Sequence, residues 1–255
     1  MTMNSGPREW DAEVYDRVSD PQFAWALEVL ERLPLQGDEI VLDAGCGSGR
    51  VTEQLASRLP RGRLIGADAS EAMIEKARER LGPDADLRVA DLAELELEEP
   101  VDAVFSNAVF HWIPDHDRLF ARLHAALRPG GRLVAQCGGQ GNVASLVHVL
   151  IDVVAQERFV EHFGDFKGIW NFASDGETAE RLRGAGFEDV SCWLEQKSVT
   201  PEEPLAFLRT VTLGPHLARL PEGLRQPFAE AVAERMGEPL TLDYVRLNIE
   251  ARRRA

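Results

Sequence analysis

Residues 41–50 read VLDAGCGSGR: a short apolar run, an acid, then three glycines at alternate positions. No other stretch constrains the fold as strongly. A buried strand has to end near Asp43, the backbone has to turn through Gly45, Gly47 and Gly49, and a helix has to start at Arg50. Val51, Leu55 and Leu59 then recur at helical spacing. Glycine serves where the chain takes positive φ or lies close against a ligand. The helix start beyond the turn attracts a negative group.

The same strand-then-helix rhythm repeats. Arg63–Asp68, Asp86–Ala90, Val101–Ser106 and Arg132–Cys137 read as strands. One helix starts at a Ser70 cap and carries Met73, Ile74, Ala77 and Leu81 as an apolar stripe. Another runs from Asp115 with Leu119, Phe120, Leu123 and Leu127 on one face, and 128–131 (RPGG) ends it. Such alternation predicts a parallel sheet covered on both faces. Past Cys137 the pattern changes. A helix is expected over Val143–Glu161, a loop over Gly164–Phe172, a helix over Thr178–Ala185 and a strand over Phe187–Lys197. Pro201–Glu238 is expected to be helical, ending in Leu224–Met236. Leu240–Arg252 alternates, with Leu242, Tyr244, Arg246 and Asn248 on one face and Val245, Leu247 and Ile249 on the other. It reads as a last strand, with a helix the alternative.

The glycine turn alone leaves several ligands open. A dinucleotide loop wants Gly or Ala at position 50, where this chain has Arg50, and no G-K-[ST] triphosphate motif occurs. Two further acids narrow the choice. Asp68 ends the second strand, nineteen residues past Gly49, where an acid accepts hydrogen bonds from both ribose hydroxyls. Asp91 follows the third strand and can accept from an exocyclic amine while the Leu92 N–H donates to the ring. Asp43 sits where it can order the turn.

Residues 41–49, 65–70 (IGADAS), 90–92 (ADL) and 127–133 (LRPGGRL) occur in order over roughly residues 35–137. Together they resemble the motifs of class I S-adenosylmethionine-dependent methyltransferases. The resemblance implies an α/β fold: a Rossmann-like, doubly wound, seven-stranded sheet, its last strand antiparallel, with a helical lid. It implies S-adenosyl-L-methionine as cofactor and S-adenosyl-L-homocysteine as product. Gly45, Gly47 and Gly49 would contact the methionine moiety, Asp68 the ribose, Asp91 and Leu92 the adenine, and Asn107 the sulfonium end. Asp43, Ala69 and Met73 complete the expected cofactor set. One methyltransferase domain over 1–255 is expected, with a cofactor core at about 34–141, 173–200 and 240–255. The lid would come from 1–33, 142–172 and 201–239.

Residues 10–16 (WDAEVYD), 106–116 (SNAVFHWIPDH), 170–172 (WNF) and 185–187 (AGF) are similar to the trans-aconitate methyltransferase-like branch. They are also similar to insect juvenile hormone acid methyltransferases. Both groups methylate small carboxylic acids. Two features depart from the trans-aconitate pattern. His111 stands where Gln precedes the Trp, and 137–142 reads CGGQGN rather than a Met-Pro-x-Asn loop.

Methylating a carboxylate needs no strong base, because the nucleophile is already ionised at pH 7. Placement and exclusion of water then do the work. Tyr15, His111, Trp112 and Trp170 are the expected walls and donors, with Tyr15 and His111 nearest the chemistry. Arg209, Arg219 and Arg246 are candidates to hold the acid, Arg209 foremost, and a tricarboxylate would need two converging guanidiniums. If the acceptor is a hydroxyl or carbon, His111 would act as general base. A non-catalytic cofactor-binding protein is the remaining alternative.

Charge bounds the partners. With 28 Lys+Arg against 43 Asp+Glu the chain carries −15, unsuited to nucleic acid or anionic membrane. A small-molecule substrate is expected, and a monomer or weak homodimer. RNA and protein methylation fit poorly, since 107–110 reads NAVF rather than an Asn-Pro-Pro-Tyr motif. Cys46, Cys137 and Cys192 form no C-x-x-C pair, so no metal site is expected, and a reducing, cytoplasmic setting is. Residues 1–10 lack an apolar leader run, and the uncharged stretch Leu133–Ile151 is broken by glycines, which argues against a membrane span.

Overall fold

The structure, a computed structural model, describes residues 20–166 and 168–255. The expected alternation is realised as α1 (Asp20–Glu31), β1 (Ile40–Ala44), α2 (Arg50–Ser57), β2 (Arg63–Asp68), α3 (Glu71–Leu81), β3 (Asp86–Val89), β4 (Val101–Asn107), α4 (His116–Ala126) and β5 (Leu127–Gly138). After β5 come α5 (Ala144–Val154), α6 (Glu157–Val160), α7 (Asp175–Gly184), β6 (Phe187–Val199), α8 (Pro204–Phe207), α9 (Gly214–Arg219), α10 (Glu222–Met236) and β7 (Leu242–Arg253).

Local chemistry sets the helix starts. The Ser70 hydroxyl accepts from the Met73 N–H, the Asp115 carboxylate accepts from the Arg118 N–H at 2.9 Å, and Ser174 with Glu177 closes a capping box on α7. Each strand then divides its side chains between two helical layers. Leu42 and Val104 point into a core shared with α4 and α7, whereas Val41, Ala103 and Phe105 point into one shared with α1 and α2.

The sheet order is β3-β2-β1-β4-β5-β7-β6. β1 pairs in parallel with both β2 and β4, while β7 runs antiparallel to β5 on one side and β6 on the other. The last strand is thus the antiparallel one and a strand rather than a helix. It is wedged inside the sheet. Chain order reverses between β1 and β4, which leaves a crevice beyond their carboxyl ends, the usual ligand position in open α/β sheets.

Three details differ from expectation. β5 starts at Leu127, because that residue already pairs with Val101; residues 128–131 bulge out at the register shift before Arg132 pairs with Ala103. The single helix expected over 143–161 breaks at an extended Gln156 into α5 and α6. Tertiary packing overrides propensity there: Phe159 is drawn fully inside, 5.1 Å from Phe228, while Val160 stays exposed. The region 201–239 contains a π-helical turn, Leu208–Thr212, between α8 and α9. Helices α5, α6 and α8–α10 share one apolar cluster with Leu242 and Tyr244 of β7 and Trp25 of α1. Among the described residues no helix is long and apolar enough to cross a membrane.

Candidate active site

Two clefts adjoin at the carboxyl ends of β1 and β4. The first is formed by the glycine turn with Asp43, Asn107 and Gln22. The Gly45 and Cys46 N–H groups both donate to the Ala67 carbonyl, at 2.7 and 3.0 Å, and this pins the turn to β2. Gly45 has φ 88°, and a Cβ there would fall 2.0 Å from Val109 Cγ2, so no side chain fits. Gly49, at φ 81°, starts α2 in the left-handed region. Asp68 clamps this arrangement from the side. Its Oδ2 accepts from the Gly47 N–H at 3.0 Å and its Oδ1 from the Ser70 N–H at 2.9 Å.

Asp43 is 2% exposed, and its Oδ2 accepts from the Thr52 hydroxyl at 2.7 Å. Burial pushes its carboxyl up to about 7; the Thr52 hydrogen bond opposes the rise and the Asp68 charge adds to it. It is an acid poised to ionise when a cation arrives. Ala69, Met73, Asp91 and Leu92 continue outward along the ends of β2 and β3. Asp91 is exposed, with its Oδ1 accepting from the Ala93 N–H, while Leu92 and Met73 are buried.

The second cleft is walled by His111, Trp112, Trp170, Phe172, Tyr244 and Arg246. His111 sits on a 3-10 turn, Phe110–Trp112, which His116 holds by donating from Nε2 to the Phe110 carbonyl at 2.9 Å. Burial keeps the His116 pKa below its ordinary value. The His111 Nδ1 accepts from the Gly138 N–H at 3.2 Å, so the neutral ring carries its proton on Nε2. Asn171 ties the Trp170–Phe172 segment to this turn: its N–H donates to the His111 carbonyl and its Nδ2 to the Pro114 carbonyl. Trp170 and Phe172 stack at 5.4 Å and 16°.

Arg246 comes from β7 and is 2% exposed. Its Nε donates to Gln136 Oε1 at 3.1 Å, its guanidinium lies 5.1 Å from the Trp25 ring centre, and Gln136 is itself fixed by donating to Asn248 Oδ1. Two strained residues border the same cleft, Ala108 at φ 62° and Val143 at φ 47°. A β-branched residue at positive φ is uncommon and is held there by its surroundings.

The structure therefore brings His111, Trp112 and Trp170 together, and Asp43, Gly45, Gly47 and Asn107 together. Arg209 is exposed on the π-helical turn, donates to Gln226 and borders neither cleft; Arg219 pairs with Asp165. Tyr15 and Trp10 lie outside the described residues. The sequence reading passed over Gln22, Asn142, Phe172 and Tyr244 as site residues and ranked Arg246 behind Arg209. For Arg246 a signal existed: the alternation in 242–248 sets an arginine on a face that also carries Leu242 and Tyr244. For Gln22 there was none.

Known proteins resemble this chain in sequence and in fold. A family profile described as a methyltransferase domain matches residues 41–131. A trans-aconitate 2-methyltransferase of Deinococcus radiodurans is 33% identical over 219 residues, 83% of this chain and 83% of that protein. The chain belongs to the S-adenosylmethionine-dependent methyltransferases. A trans-aconitate 2-methyltransferase of Variovorax paradoxus is 41% identical over 150 residues, 58% of this chain. That match spans 57% of the Variovorax protein, a little over half its length. Among solved structures, a Haemonchus contortus phosphoethanolamine N-methyltransferase 2 in complex with S-adenosyl-L-methionine superposes with a TM-score of 0.61 at 22% identity. It covers 96% of this chain and 57% of that one, and it shares the fold.

The first cleft of this methyltransferase fits the family's cofactor. Its turn presents backbone where a side chain cannot stand, and the buried Asp43 carboxyl suits a cation. Two buried carbonyl oxygens, Gln22 Oε1 and Asn107 Oδ1, lack hydrogen-bond partners among the described residues.

Proposed function

We propose that this protein transfers the methyl group of S-adenosylmethionine to a carboxylate oxygen of a small acid with a flat, apolar body. The observation that carries the reading is the Arg246 guanidinium, buried in an aromatic cleft that adjoins the cofactor cleft. A guanidinium there receives a carboxylate by paired, charge-assisted hydrogen bonds, strong in so dry a setting. The rings of Trp112, Trp170 and Phe172 offer faces and edges to a planar ring or conjugated chain. Among the described residues the cleft borders one guanidinium, which suits a monocarboxylate better than a tricarboxylate.

The cofactor supplies an electrophilic methyl on a sulfonium; the protein supplies position. Arg246, steadied by Gln136 and Trp25, orients the acid. His111, with Nδ1 occupied by the Gly138 N–H, offers Nε2 as a donor and not as a base, in keeping with a nucleophile already ionised. The helical layer of α5, α6 and α8–α10 acts as the lid that excludes water.

The test is a coupled assay of S-adenosylhomocysteine release over aromatic and conjugated monocarboxylic acids, tricarboxylic acids and the matching phenols. The expected result is highest kcat/KM on the monocarboxylic acids. Turnover of a phenol with no turnover of any acid would overturn the carboxylate assignment. Preference for a tricarboxylate would overturn the substrate body alone.

A further inference from the structure

The segment 137–142, CGGQGN, borders the second cleft through Asn142 and shapes its wall. Gly138 ends β5 and is buried. A Cβ there would fall 2.7 Å from Phe172 Cε1 and 2.8 Å from Asn142 Nδ2, closer than real Cβ contacts come. A side chain at 138 would therefore displace one of them. Asn142 is pinned, since its Oδ1 accepts from the Val245 N–H at 3.0 Å. The Gln140 N–H donates to the Ala173 carbonyl at 2.9 Å, which fixes the spacing between this segment and the one carrying Phe172. The Phe172 ring is the part that would have to give.

That ring completes the aromatic wall. It stacks on Trp170 at 5.4 Å and lies 5.8 Å from the His111 ring at 30°. His111 in turn takes the Gly138 N–H on its Nδ1 at 3.2 Å. One glycine thus supplies both the space for Phe172 and the donor for His111. The two departures from the trans-aconitate pattern, His111 and the 137–142 segment, meet at this residue.

We infer that Gly138 is a specificity-determining residue. By carrying no side chain it admits the Phe172 ring to the cleft wall, and that wall selects acceptors with a flat, conjugated body over flexible ones. The inference rests on the proposed assignment of the second cleft to the acceptor, and not on which acceptor atom is methylated. A planar body gains stacking and edge contacts along Trp170, Phe172 and His111, whereas a flexible chain loses conformational freedom to lie there. Moving or removing the Phe172 ring takes the selection away.

Calorimetry of the full chain saturated with S-adenosylhomocysteine tests it, with trans-cinnamate and hexanoate as one pair of probes and cinnamyl alcohol and hexanol as the matched pair. The unaltered chain is expected to bind trans-cinnamate about tenfold more tightly than hexanoate. Gly138→Ala and Phe172→Leu are each expected to cut that ratio about fivefold, the scale of one aromatic contact. In the double variant the added methyl meets no ring edge, so the ratio should stay within about twofold of that in Phe172→Leu alone. An unchanged ratio in Phe172→Leu overturns the inference. So does equal weakening of both acids in the single variants, as a purely structural role would give, or effects that multiply in the double variant. Phe172→Leu adds no atom to the packed segment and reads the same wall should Gly138→Ala fold poorly. Binding of the alcohols without the acids would overturn the carboxylate assignment, and the ratio between the alcohols would then decide the role of Gly138 by the same criteria.

Discussion

The two adjoining clefts are built by different means. The first cleft, proposed for the cofactor, is built around backbone: one contiguous turn, pinned by N–H groups to the next strand and clamped by Asp68, with Gln22 and Asn107 closing its side. The second cleft, proposed for the substrate, is mostly side chains, gathered from α1, the 110–112 turn, the 170–172 segment and β7. A shape made by main chain leaves little room for variation, because only glycine satisfies it. A shape made by side chains can be changed one residue at a time. The first arrangement suits a ligand shared across a family; the second suits a ligand that differs between members.

The largest expected effect breaks the backbone cleft. Gly45→Ala forces a Cβ against Val109 and demands positive φ from alanine. A cost of about 2–4 kcal/mol is expected, read as a lower melting temperature with cofactor binding lost in calorimetry. Gly45→Ala combined with Val109→Ala should recover part of it. A Gly45→Ala variant with unchanged affinity would show that the turn is not the rigid element described.

Arg246→Met should separate the clefts. KM for the acid is expected to rise about a hundredfold, the loss of a buried charge-assisted pair. Cofactor affinity should stay within about twofold. Equal losses of both ligands would mean that Arg246 supports the fold as a whole.

Asp43 links the cofactor cleft to pH. Its folded pKa of about 7 lies above the ordinary carboxylate value of 3.8, so between those values the folded state holds a proton that the unfolded chain has released. Stability of the ligand-free protein should therefore fall as pH rises from about 4 to 7. Cofactor affinity should rise over the approach to pH 7, as the carboxylate forms beside the cation. Asp43→Asn should flatten both trends, followed as melting temperature against pH with and without S-adenosylmethionine. A Tm–pH slope that survives in Asp43→Asn would assign it to another group.

The smallest effect is expected at Arg209→Ala, with KM for the acid changed less than about twofold, since that side chain is exposed and held by Gln226. A large rise in KM would move the carboxylate's anchor from β7 to the π-helical turn.

The same contrast explains what the sequence made legible. The glycine turn, the strand-ending acids and the capped helices are local patterns, so they could be read from neighbours in the chain. The break at Gln156 could not, because it depends on Phe228, far along the chain, receiving Phe159. Choosing among three arginines was likewise a question of convergence. Arg209 and Arg246 look alike as residues, and only the pairing of β7 with β5 turns one inward beside Gln136. Gln22 is an ordinary polar residue on an amphipathic helix until α1 crosses the end of β4.

The position of β7 has a consequence in time. Strands β1 to β5 pair in parallel with one another and are all present once Gly138 has emerged, so they can assemble during synthesis. Arg246 depends on Gln136, 110 residues earlier, and on a strand that must enter between β5 and β6. Contacts of such range are late ones. A growing chain thus gains the outline of its glycine turn well before it gains the proposed substrate anchor. On that proposal, choosing what to methylate is the last skill this polypeptide acquires.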